Sequence, residues 1–242
     1  MAQSRIDLDT LPHVWRAPEL ACSAEKVVTS GHCGLDAQLP GGGWPVGSLI
    51  EILQDTAGRH AWQLLLGALA AATQQEAGPV VLVNAPHVPF GPSLDAQGLC
   101  PSRLLKVQAA KPQACVWAAE QALRCCDVAA VTAWLPRAKA AELRRLHLAA
   151  AQHGKLLFVF RETAMRSESS PARVRLEIGE GEQLTVRILK RRGPPLEQGL
   201  ALPSHPQRLA RLLDSRRRRG PALSPATNKE RSHVLDRIVA VA

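Results

Sequence analysis

Residues 29–66 read TSGHCGLDAQLPGGGWPVGSLIEILQDTAGRHAWQLLL: a glycine-rich lead-in, an apolar run, a short polar loop and a helix-period run. That order is the strand–loop–helix of a phosphate-binding loop, and it commits the middle of the chain to a βα unit. A loop that binds phosphate needs Gly, four residues, then Gly-Lys-Ser/Thr. The glycines let backbone N–H groups converge on the phosphates, the Lys reaches the terminal ones and the hydroxyl ligates magnesium. Here the strand at 49–53 is followed by Gln54, Asp55, Thr56, Ala57, Gly58, Arg59 and His60, one residue short of the signature. Gly58 and the helix behind it survive. Arg59 offers a charge, but as a planar fork rather than a compact ammonium, and His60 does not hold magnesium as a hydroxyl does. The scaffold of a nucleotide hydrolase is expected without its chemistry, which points to a protein that works by binding. Helix N-termini attract anions whatever their side chains, so the loop reads as a weak, vestigial phosphate site or as an empty turn packed on itself.

The βα pattern continues on the C-terminal side. Apolar strands are expected at 80–84, 104–107, 128–134 and 156–160, with helices at 61–77, 113–126 and 139–153 and a helix-like piece at 93–98. Gly78-Pro79 and Gly154 punctuate them. Strands alternating with helices of this length predict an α/β fold, a mainly parallel sheet covered by helices on both faces. After residue 165 the pattern changes. Residues 173–178 and 184–189 alternate across the turn Gly179-Glu180-Gly181-Glu182, an antiparallel hairpin that closes the sheet edge. Three segments follow: a lead-in at 1–28, a core at 29–202, and a Pro-, Arg- and Ser-rich tail at 203–242 expected to be largely disordered, with short helical possibilities at 207–213 and 233–241.

Charge is unevenly placed. Residues 204–242 carry nine Lys/Arg against three Asp/Glu, and residues 1–203 carry twenty-one against eighteen. A near-neutral body with a basic tail favours a sticky C-terminal segment over a whole-surface nucleic-acid binder. The six cysteines form no CxxC pair, so free thiols in a reducing cytosol are expected rather than disulfides or a metal site; adjacent Cys125 and Cys126 fall in a helical pattern. No apolar run reaches transmembrane length and residues 1–20 lack a signal-peptide core, so the protein is expected in the cytoplasm, with no metal and no cofactor.

Thr29-Ser30-Gly31, Gly34-Leu35-Asp36, Leu39 and Gly42-Gly43-Trp44-Pro45-Val46-Gly47, followed by Glu51-Ile52, resemble the segment that enters the P-loop of the RecA recombinase core. The similarity continues through 80–87, through Val174-Arg175-Leu176-Glu177-Ile178 and to Leu189-Lys190-Arg191, covering roughly residues 25–195. The resemblance implies a RecA-like core, and its departures are informative. Where that family has the acidic residue that activates the attacking water, this chain has Pro86. Where a carboxylate would hold the magnesium shell, it reads Ala133-Trp134-Leu135. With the loop, three requirements of phosphoryl transfer are missing together. The pattern is most similar to the ImuA family, RecA-like proteins of a DNA-damage-inducible mutagenesis cassette. That resemblance implies a non-catalytic adaptor in translesion DNA synthesis and the SOS response. Its partners would be ImuB, a catalytically dead polymerase relative, and an error-prone replicative-type polymerase, on the nucleoid when recruited to DNA. Two other readings stay open: a SulA-like cell-division inhibitor binding FtsZ, and a divergent ATPase.

Other features carry two readings each. Arg187, Lys190, Arg191 and Arg192 crowd the last strand and its exit. By the resemblance they are an inherited subunit interface; otherwise they are a solvated edge guarded by charge. Arg216, Arg217, Arg218 and Arg219 form an unbroken basic run suited to a phosphate backbone or an acidic partner. Val234, Leu235, Ile238 and Val241 make a short apolar stripe suited to docking. Gly41-Gly42-Gly43 is a partner loop or simply a tight turn, and Trp44 and Trp62 are an interaction patch or packed indoles. His87 reads as structural.

Overall fold

A strand buried on both faces needs a layer on each side of its sheet, and all six residues of Ser48–Leu53 are buried. The computed structural model describes residues 26–57, 60–87, 89–193, 196 and 198–203. In chain order the strands are β1 (Val27–Val28), β2 (Trp44–Pro45), β3 (Ser48–Leu53), β4 (Val80–Val83), β5 (Leu104–Val107), β6 (Ala130–Trp134), β7 (Leu156–Arg161), β8 (Val174–Ile178), β9 (Thr185–Lys190) and β10 (Leu200–Ala201). The helices are α1 (Cys33–Asp36), α2 (Ala61–Gln75), α3 (Gly91–Ala96), α4 (Pro112–Arg124) and α5 (Ala140–His153). Eight strands form one sheet in the order β10-β9-β8-β3-β7-β6-β4-β5, and β1-β2 is a separate antiparallel ribbon. From β8 to β5 every neighbour is parallel; β9 runs antiparallel to both β8 and β10.

The period of two in each strand sorts its side chains into two cores. Ile50, Ile52, Leu82, Phe158 and Phe160 pack with α2, Leu94 of α3 and the lead-in residues Leu35, Leu39 and Trp44. Leu49, Val81, Val83, Val131 and Val159 pack on the other face with α4 and α5. The expected α/β class, the mostly parallel sheet and the two helical layers are all present. Trp44 is fully buried, edge-on to Phe158 at 5.4 Å between centroids, so it is core and not an exposed patch.

Local rules explain the boundaries. Glu142 Oε2 accepts the Lys139 N–H at 2.8 Å to cap the start of α5, and Gly154 ends that helix in the left-handed conformation at φ 59°. α2 carries a glycine at its centre, which costs a helix about 1 kcal/mol relative to Ala. The reason is a backbone crossing: a Cβ on Gly67 would lie 2.6 Å from the Ser30 carbonyl oxygen and 2.9 Å from Gly31 Cα.

The structure amends some boundaries. Val27 and Val28, assigned above to the lead-in, pair with β2 and belong to the body. The hairpin β8–β9 is not the last strand pair, because β10 adds outside β9 over Thr185 and Val186. α4 stops at Arg124, so Cys125 and Cys126 lie beyond the helix and are both exposed free thiols. The tail readings, including Arg216–219, Val234, Leu235, Ile238 and Val241, lie outside the described residues, as do Gly58 and Arg59. No helix among the described residues is long and apolar enough to cross a membrane.

Candidate functional site

In open α/β sheets ligands bind beyond the carboxyl ends of the strands, where successive connections leave to opposite faces. β3 leads to α2 on one face. Its neighbour β7 leads to the 3-10 turn Thr163–Ser167, which lies over the other face. The degenerate loop therefore stands at such a point. Gln54 is buried and its N–H donates to the Arg161 carbonyl at 3.0 Å. Asp55, Thr56 and Ala57 are exposed.

His60 opens α2 with a left-handed backbone, φ 55°, uncommon for a residue other than glycine. Its ring holds that geometry from both sides. Nε2 lies 2.9 Å from the Gly181 carbonyl in the β8–β9 turn, and Nδ1 lies 2.7 Å from Gln63 Oε1. His60 thus ties the loop to the β8–β9 hairpin. Beside it is an open hollow of about 290 Å³ lined by Asp55, Glu177, Glu180, Thr185 and Arg187. Three carboxylates face one guanidinium there, and Arg187 already sits 3.9 Å from Glu177. A polyphosphate entering this hollow meets repulsion rather than a cradle.

The two other departures have a physical form. β6 ends in Trp134, stacked on Phe160 of β7 at 4.8 Å with planes 6° apart; an apolar pair fills the strand end at which the resemblance to the RecA core implies a metal-holding carboxylate. β4 leaves through Asn84, φ 52°. Asn84 Oδ1 accepts the Ala109 N–H, and its Nδ2 donates to Ala109 O and to the Cys115 sulfur at 2.9 Å. Ala85 is buried behind it, while Pro86 and His87 are exposed. Asn84 and Cys115 therefore stitch β4 to the entry of α4. Burial pushes the Cys115 thiol up, against the lowering effect of its hydrogen bonds.

On the α5 side of the sheet lies an ionic cluster that sequence reasoning missed. Glu51 and Arg161 are fully buried and joined at 2.9 Å; Arg175, nearly buried, reaches Glu51 at 3.1 Å, and Glu168 reaches Arg161 at 2.8 Å. The guanidinium of Arg175 also donates to the carbonyls of Met165, Arg166 and Glu168, and that of Arg161 to Ala138 O. The 3-10 turn Thr163–Ser167 and the residues after it lie over this part of the sheet, and the arginines satisfy carbonyls there that would otherwise be buried unpaired. The signal was a charged residue in each of three apolar strands, Glu51 in SLIEIL, Arg161 in LLFVFR and Arg175 in VRLEI, which also carries Glu177. Recognising it as one cluster requires knowing that β3 lies between β7 and β8.

The basic residues of β9 and its exit are dispersed. Arg187 is exposed at the acidic hollow, and Lys190 Nζ donates to Ser170 O at 2.9 Å. Arg191 reaches back to the Gln38 carbonyl and to Gln38 Oε1 at 3.1 Å, and Arg192 is half-buried. Two of the four thus anchor neighbouring segments of the body. A second pocket, about 420 Å³, opens at the ends of β4 and β6 between the first turns of α4 and α5, with largely apolar walls.

No protein-family model matches the chain, and no curated protein matches it at significance. The geometry of the site is therefore the main ground for a functional reading, with the residue-level resemblance beside it.

Proposed function

We propose that the protein is a non-hydrolytic RecA-like adaptor of the ImuA kind, acting in DNA-damage-induced translesion synthesis by binding ImuB or its error-prone polymerase. The observation that carries the non-hydrolytic part is the stacked Trp134–Phe160 pair at the end of β6. Phosphoryl transfer depends on positioned phosphates and a metal shell, and this site offers an indole, an acidic hollow and a loop tied down through His60. The RecA-like part is supported by the order of elements, by a central β3 feeding α2, and by the placing of the degenerate loop at a switch between faces. The partners follow from the resemblance.

The test is paired. Purified protein should show no ATP turnover above a buffer blank with magnesium, and tagged protein should co-purify with ImuB expressed beside it. Turnover that disappears in Arg59→Ala would return the chain to the ATPases. Capture of FtsZ in place of ImuB, with filamentous cells on overexpression, would assign it to division control.

A further inference from the structure

Four large apolar side chains are strongly exposed among the described residues, and two of them, Trp117 at 60% and Leu148 at 61%, stand on the adjacent helices α4 and α5. One salt bridge relates them. Glu120, itself buried, joins Arg145 across the two helices at 2.9 Å; Trp117 lies three residues before Glu120 and Leu148 three after Arg145, about one helical turn to either side of the bridge. At the head of the seam between the helices is the 420 Å³ pocket, walled by Pro112 and Val116 of α4, Leu135, Pro136 and Ala138. Most of its polar groups are already committed, Asn84 to Ala109 and Cys115, Glu142 to the α5 cap, and Arg137 to Glu162 at 3.2 Å; the buried indole N–H of Trp134, which has no partner, is the exception. Such a pocket selects an apolar body and offers little directional recognition.

Pocket, Trp117 and Leu148 follow one another along the seam. At 1.5 Å per residue the stretch from the start of α5 to Leu148 is about 12 Å, roughly two turns of a facing helix with anchors at i, i+4 and i+7. The surroundings are cationic. Arg124, Arg137, Lys139, Arg144 and Arg145 lie on or next to the two helices against Glu120, Glu142 and Glu162, an excess of two positive charges among these residues, with Arg124 and Arg145 paired to Glu120 and Arg137 to Glu162. Trp and Arg are also the side chains that dominate binding hot spots.

We propose that the α4–α5 seam is the protein's docking surface for an acidic amphipathic helix of its polymerase-related partner, with one apolar side chain of that helix in the pocket and two more against Trp117 and Leu148. The proposal rests on the adaptor reading, and it moves the partner site away from both the degenerate loop and the basic exit of β9.

Full-length wild type, Trp117→Ser/Leu148→Ser, and Arg144→Glu/Arg145→Glu are titrated with purified ImuB by calorimetry and stopped flow, after their melting transitions are shown to match. The apolar double variant is expected to bind at least tenfold more weakly. The charge variant is expected to associate more slowly, most visibly at low salt. Equal binding by all three proteins overturns the seam and leaves the adaptor reading intact. No binding even by wild type overturns both. A parallel titration with oligo-dT gives the remaining outcome: if Trp117 fluorescence is quenched and the apolar variant loses the oligonucleotide but keeps ImuB, the seam is a nucleic-acid platform and the proposal fails.

Discussion

Gly67 sets helix propensity against packing. Propensity alone predicts that Gly67→Ala stabilises α2 by about 1 kcal/mol. The close crossing at Ser30 and Gly31 predicts the reverse, because the added methyl meets a backbone carbonyl at 2.6 Å and neither backbone can step aside cheaply. We expect Gly67→Ala to lose about 1–3 kcal/mol in urea unfolding, the range of an overpacked core; a gain would mean the crossing is loose. Glu51→Gln poses a different contest. Buried ion pairs add little net stability, yet removing one partner strands the other charge, at a cost of about 3–5 kcal/mol. With Arg161 fully buried and Arg175 nearly so, the loss should reach that range. His147 gives a pH signature. Its Nδ1 accepts the Leu49 N–H at 3.1 Å, and burial, then the charges of Arg173 and Lys190, lower its pKa from the ordinary 6.5. The folded state therefore binds the proton less readily than the unfolded chain, so this contribution is whole above pH 6.5 and is lost as pH falls through the lowered value. Unfolding free energies at pH 7.5 and 5.5 should differ less in His147→Gln than in wild type.

At the scale of elements, the degenerate loop and the β8–β9 turn are predicted to open as a unit, because His60 is the bond between them. His60→Ala should raise hydrogen exchange in 55–57 and 179–183 together; protection lost in the loop alone would show that the tie to Gly181 carries no weight. The elements themselves were largely legible. Long apolar runs with period-two or helical spacing, bounded by Gly78-Pro79 and Gly154, marked β4, β6, β7, α2 and α5 to within a few residues. The short pieces were not legible. β1, β2 and β10 have two residues each, too few for any period, and form only because a partner strand lies beside them. α1 hides in a glycine-rich stretch that reads as loop. In the candidate site the loop was visible as a spaced motif, and so were its missing groups. What replaced them was not: Trp134 on Phe160 and Glu51 between two arginines are contacts between strands distant in sequence, set by sheet order.

For the whole molecule, the last described strand belongs to the body. Leu202 is buried and its N–H donates to the Leu184 carbonyl at 2.8 Å. A chain ending at Pro203 should therefore melt with the full-length transition, whereas one ending at Gln198 should melt lower and aggregate, having uncovered the edge of β9. Glu76 adds an acid limit to the same body. Burial raises its pKa, but hydrogen bonds from Lys26 and Lys155 and their charges outweigh that and hold it below the ordinary 4.5. Its contribution is present above that value and is lost as pH falls through the lowered one. The stacked pair at the end of β6 has a further consequence, for how far the ends of these strands tolerate new charge. A Gly-Lys-Ser sequence written over the end of the loop would remove His60 and with it the bond to the Gly181 carbonyl. Converting Trp134 alone would unstack Phe160 and introduce an unpaired acid into a buried position. Both changes give up a contact that the fold makes, so each is expected to lower the melting transition.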